Sequence, residues 1–146
     1  MAFFSESKCM KNPATKPALM MATKRAIPMV KAALSSDGGR TFGSPMRIDE
    51  GNPLGRAHVQ LIGPGRGVVT WLEAKGNEAV WQVRQFSADS PGRTAVQAVG
   101  TTVRTRDGGF ARTALIGSDL YIAYAEPGAG SGEPPQVRVT RQRLSR

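Results

Sequence analysis

A chain of 146 residues with 40% apolar side chains is enough for one domain, and its formal charge of +9 raises the question of a polyanionic partner. Residues 1–31 carry six basic side chains against the single acid Glu6, whereas the other 14 basic and 10 acidic side chains intermingle as on a solvated surface. With no basic helix and no basic face studded with aromatics, the sequence argues against nucleic acid as a partner.

Two rare residue types narrow the chemistry further. Cys9 is the one cysteine and His58 the one histidine, which excludes an internal disulfide, a cysteine-based zinc cluster and a multi-histidine metal site. Neither a cofactor nor a metal is expected. No apolar run reaches the roughly 18 residues of a membrane span, so no membrane partner is expected either.

Residues 1–28 have no apolar periodicity and are broken by Pro13, Pro17 and Pro28. They lack the apolar stretch of a secretory signal, so no export signal is expected. The preferred reading is a lysine-rich flexible tail or the head of a truncated reading frame, with a short helix over about 18–25 as the alternative. From residue 29 the pattern becomes one of short strands, and 17 glycines and 10 prolines spread along the chain supply the turns.

The first such unit is a hairpin, with strands at 29–34 and 45–49 around Ser35-Ser36-Asp37-Gly38-Gly39-Arg40-Thr41-Phe42. Ser35 and Asp37 can accept backbone N–H groups inside the loop. Gly38 or Gly39 can take positive φ, and Phe42 is expected to re-enter as an apolar plug on the outgoing strand.

An internal repeat follows. Ser35 finds a match in Ser87, 52 residues on, and Thr41 in Thr94, 53 on. Val69-Thr70-Trp71-Leu72-Glu73 is echoed by Ile122-Ala123-Tyr124-Ala125-Glu126 at 53, and Gln82-Val83-Arg84 by Gln136-Val137-Arg138 at 54. Three stretches in one register mark a unit of several short strands. The complete unit is 56–99, with strands at Arg56–Ile62, Gly67–Glu73, Ala79–Ser87 and near Thr94–Val99. A partial unit, 29–49, precedes it, and another, 110–144, follows with strands at about 110–116, 120–126 and 136–144.

The order Ser-x-Asp-x-Gly-x-Thr-aromatic, on Ser35, Asp37, Gly39, Thr41 and Phe42, resembles the Asp-box of sialidase-type (BNR-repeat) β-propellers. The resemblance implies an all-β fold: part of such a propeller, about two blades of antiparallel four-stranded sheets in residues 29–146, with an irregular N-terminal tail. The box itself implies architecture, at the outer hairpin of a blade. Blades bury their faces only against neighbours, so remaining blades or self-association are expected to cover what this chain leaves open. The chain thus reads as the C-terminal part of a larger ring, from a family whose members are usually exported.

In such a propeller the innermost strands line the channel. Sialidases hold a substrate carboxylate with arginines from several blades, because a guanidinium offers a planar fork. The resemblance makes Arg56, His58 and Arg112 the substrate-binding candidates and a sialoside-like glycan the candidate ligand. It also implies a tyrosine nucleophile with a glutamate partner and an aspartic acid donor. Here Tyr121 and Tyr124 share one strand, and Tyr124 holds the repeat position of the core residue Trp71. Glu73 and Glu126 end equivalent strands, where they are expected to satisfy loop donors. The aromatic-Arg-Ile-Pro motif of true sialidases is absent, and Arg25-Ala26-Ile27-Pro28 is only a superficial echo. No catalytic residue is assigned. The expectation is a sialidase-like fragment inactive by itself, with a noncatalytic scaffold for a glycan or a protein as the alternative.

Overall fold

The computed structural model describes residues 19–22 (backbone only), 29–89, 94–128, 130 and 132–144. The protein is all-β: the described residues form ten strands in three antiparallel sheets and one 3-10 turn at Arg106–Gly108, with no α-helix among them. The first sheet holds β1 (Leu19–Ala22), β2 (Lys31–Leu34) and β3 (Met46–Arg47). The middle sheet holds β4 (Pro53–Gly63), β5 (Arg66–Lys75), β6 (Glu78–Ser87) and β7 (Gln97–Thr102). The third holds β8 (Arg112–Ile116), β9 (Asp119–Glu126) and β10 (Gln136–Arg143). In each sheet the strands lie side by side in chain order, joined by local connections.

The sheets stack face to face, and β5 shows why. Its side chains alternate across the pleat, and both faces are buried. Val68 and Leu72, with Ala79, Trp81 and Val83 of β6, form one core with Ala111, just before β8, and with Leu120, Ile122 and Tyr124 of β9. Val69, Trp71 and Phe86 point the other way and pack on Ala32 of β2 and on Val30 and Ile48, the residues that flank β2 and β3. A continuous apolar run in β5 is thus the signature of a strand covered on both sides.

Several expectations are corrected. Leu19–Ala22 form a strand, pairing with β2 from Leu19↔Leu34 to Ala22↔Lys31, so these residues are neither helix nor part of an irregular tail. The first sheet therefore has three strands where two were expected. The rest of the expected tail lies outside the described residues. The last strand of the middle sheet runs over Gln97–Thr102, about three residues later than expected. Thr94 stays in the connection because its Oγ1 donates to the Gln85 carbonyl (2.8 Å) and accepts the Gln85 N–H (3.1 Å). Phe42 lies in the loop rather than on β3, is only half-buried, and packs on neither core among the described residues.

The first strand of the middle sheet begins at Pro53, three residues earlier than expected, because the strand continues through a bulge. Gly55 (φ 87°) and Arg56 (φ 54°) are both left-handed, and pairing with β5 slips on either side of them. A non-glycine residue in that region is held against its own steric preference, so something must fix Arg56 there.

Candidate functional site

The loop between β2 and β3 is built on one carboxylate. Asp37 Oδ1 accepts the Ser35 hydroxyl (2.7 Å) and the N–H groups of Arg40 and Thr41 (both 2.9 Å), while Oδ2 accepts the Thr41 hydroxyl (2.6 Å). Ser35 Oγ in turn accepts the Gly39 N–H at 2.8 Å. Gly38 and Gly39 turn the chain with φ of 76° and 91°, and the Gly43 N–H closes the loop on the Leu34 carbonyl. These hydrogen bonds hold Asp37 well below the usual carboxylate range, led by those from Thr41. The Ser35, Asp37 and Thr41 side chains are all engaged inside the loop, so the box is a brace.

The three binding candidates gather along one seam, where β4 of the middle sheet runs beside β8 of the third. Arg56 donates from Nη1 to the Gly109 carbonyl (3.0 Å) and from Nη2 to the Thr105 carbonyl (2.7 Å). Its guanidinium also lies 5.9 Å from the centre of the Phe110 ring. These contacts are what hold Arg56 in its left-handed backbone, and they leave its fork already engaged by protein carbonyls.

Two residues on, His58 is half-buried, with Nδ1 at 2.9 Å from the Thr113 hydroxyl of β8. Burial first, and the Arg112 charge second, push its imidazole below its ordinary value. The neutral ring is thus favoured at the seam. Arg112 opens β8, is exposed, and its guanidinium meets no hydrogen-bond partner among the described residues. Of the three candidates, then, His58 meets the inner face of β8 at Thr113, Arg112 stands on the outer face of that strand and reaches His58 only through its charge, and Arg56 is turned to the segment that leads into β8.

The groups a hydrolase would need are occupied elsewhere. Tyr124 is 3% exposed within the core, and burial pushes its phenol up. Tyr121 lies on the opposite face of β9 from it. Glu73 accepts the Trp71 indole N–H (2.8 Å) and the Asn52 N–H (3.0 Å), and Glu126 accepts Arg138 Nε at 2.6 Å. Both carboxylates thus satisfy local donors, as their positions in the repeat suggested. A shallow cleft of about 70 Å³, lined by Arg84, Gln85, Thr94, Gln97, Gln142 and Leu144, involves none of the three candidates.

Sequence reasoning missed one working residue, Arg84. It is 3% exposed, yet it donates to the Ile48 carbonyl (2.5 Å), to Glu50 (2.7 Å) and to the Thr94 carbonyl (2.8 Å), tying the first sheet to the middle one. The available signal was an arginine in the apolar face of β6, two residues from Phe86. No known family matches the chain, and neither a curated protein nor a solved structure does.

Proposed function

We propose that the chain is a run of sialidase-type Asp-box propeller blades that binds a glycan without hydrolysing it. The observation that carries this reading is the seam at β4 and β8. The first strands of two successive stacked sheets lie side by side there: His58 is bonded to Thr113 on the inner face of β8, and the exposed Arg112, with no side-chain partner among the described residues, stands next to Thr113 on the outer face of that strand. A guanidinium of this kind suits a sugar carboxylate, and a neutral imidazole with a hydroxyl neighbour suits sugar hydroxyls. The repeated sheets and the Asp37-centred hairpin support the propeller part of the proposal. The commitment of Tyr124, Glu73 and Glu126 to packing and local donors favours the noncatalytic reading over the hydrolytic one.

The test is a titration of the isotopically labelled protein with sialyllactose at millimolar sugar, alongside a fluorogenic sialoside. Backbone shifts are expected around His58, Arg112 and Thr113, absent in Arg112→Ala, with no release of the fluorophore. Silence of these resonances would remove the ligand assignment, and turnover would restore the hydrolytic reading.

A further inference from the structure

Beside the seam, the outer side of β8 and β9 forms a small groove with two walls and a floor. Exposure alternates from Phe110 onward: Phe110 and Arg112 are exposed, while Ala111 between them is 1% exposed and belongs to the core. Both therefore project away from the middle sheet, and they make the first wall. The floor is Ala123, the ladder partner of Arg112, and Ala125, whose Cβ lies 3.9 Å from the position a Cβ on Gly109 would take. These alanines face outward because Leu120, Ile122 and Tyr124 are buried on the other side of β9. The second wall is Val139 and Val137, which pair with the two alanines and are 59% and 77% exposed. Three strands at ordinary spacing set the walls about 10 Å apart, and two residues of strand make the groove about 7 Å long. Tyr121, the next outward residue of β9, stands at one end.

The first wall carries the chemistry. Phe110 is 65% exposed, and the Arg56 guanidinium lies over its ring at 5.9 Å, itself anchored to the Thr105 and Gly109 carbonyls. The ring is thus held on one side and open on the other. Next to it, the Arg112 guanidinium has no hydrogen-bond partner among the described residues. A ligand that fills the groove must offer C–H surface to the aromatic ring and the alanines, and a planar anion to the arginine. The dimensions admit one six-membered sugar ring.

We propose that this groove binds a single pyranose bearing a ring carboxylate, with a C–H face of the sugar on Phe110 and the carboxylate on Arg112. A sialic acid and a hexuronic acid both supply that chemistry. The proposal rests on the reading of Arg112 as the partner of a sugar carboxylate, and it sets the ring of that sugar on the outer side of β8.

Titration of the labelled protein with sialyllactose, methyl glucuronide and methyl glucoside tests it. At millimolar sugar, at least one of the two acids is expected to shift the Phe110, Ala123 and Ala125 resonances, and the acid that does so identifies the source of the carboxylate. The neutral glucoside is expected to leave them unmoved. Phe110→Ala, and Ala123→Leu, which fills the floor, should each weaken binding about ten-fold with an unchanged circular-dichroism spectrum, while Phe110→Tyr binds as the wild type does. An acidic sugar whose binding needs Arg112 but survives both Phe110→Ala and Ala123→Leu would overturn the groove and leave the reading of Arg112 standing. Glucuronide shifts in the groove without any from sialyllactose would uphold the groove and remove the sialoside ligand. Silence with both acids, or equal binding of the glucoside, would overturn the proposal.

Discussion

At the scale of single residues, Asp37 and His58 make opposite use of ionisation. Asp37 is stabilised in its charged form by donors from Thr41, Ser35 and Arg40, so the folded loop binds its proton later than the unfolded chain does. Its contribution is complete above the ordinary carboxylate range and persists until the pH falls well below 3.8, the unperturbed value. Carbon-detected titration should therefore show Asp37 still ionised where free aspartates are half protonated; an ordinary midpoint would refute the brace. Asp37→Ala should release the Gly39, Arg40 and Thr41 amides to rapid hydrogen exchange and leave β5 protected. For His58 the sign is reversed. Its folded value is lowered from 6.5, so the neutral form favours folding, and stability is complete above 6.5 and declines as the pH drops below it. Resistance of the wild type to denaturant should weaken as the pH falls from about 6.5 toward 5, before the carboxylates titrate. His58→Gln should not show that decline, and parallel curves for the two proteins would contradict the assignment.

At the scale of elements, the two buried tryptophans separate packing from hydrogen bonding. Trp71 and Trp81 are both 0% exposed, on opposite faces of the middle sheet. Truncating either to alanine should cost about 3–5 kcal/mol, the usual range for a buried large aromatic. Phenylalanine distinguishes them. The Trp71 indole donates to Glu73, whereas Trp81 Nε1 is buried with no partner. Trp71→Phe should therefore cost more than Trp81→Phe, by about 1 kcal/mol in chemical denaturation, since it alone breaks a hydrogen bond. Equal costs would mean the Glu73 bond contributes nothing.

The strands of the middle and third sheets were legible because alternation and a period near 53 reinforce one another there. The hairpin loop was legible because its residues act locally. β1 was not, since Leu19-Met20-Met21-Ala22 has no alternation and is fixed only by pairing with β2. The bulge at Gly55-Arg56 was equally hidden, because the carbonyls that hold Arg56 are some 49 and 53 residues away. Side-chain facing also amends the repeat. Val30 and Ala32 pack toward the middle sheet as Ala79, Trp81 and Val83 pack toward the third, and alternation then requires an odd offset. Thr41 with Thr94, at 53, satisfies it, and Ser35 with Ser87, at 52, does not. The candidate site was legible as a neighbourhood only: His58 does meet β8, at Thr113 beside Arg112, but alternation puts Arg112 on the other face of that strand, and nothing local in the sequence revealed that the Arg56 fork is taken.

At the scale of the whole molecule, cohesion depends on a few ties between sheets, and Arg84 is the one whose removal is most informative. Its guanidinium is taken out of water and answered by the Ile48 and Thr94 carbonyls and by Glu50, which is itself largely exposed. Because the carboxylate is solvated, the pair's own attraction is modest, and the two carbonyls carry much of the compensation for burying the charge. Arg84→Ala leaves the Ile48 carbonyl without its donor but strands no buried charge, since Glu50 is solvated; a loss of about 1–3 kcal/mol is expected, as for an unsatisfied buried acceptor. The damage should also be directional. The core shared with the third sheet is built from Val68, Leu72, Trp81, Ile122 and Tyr124 on the opposite face of β6, and it does not involve Arg84. Native-state hydrogen exchange of the variant should therefore show β2 opening at lower free energy, while β9 keeps its protection relative to global unfolding. If β2 and β9 lost protection together, the three sheets would be one cooperative unit, and the stack could not be treated as successive interfaces that open independently.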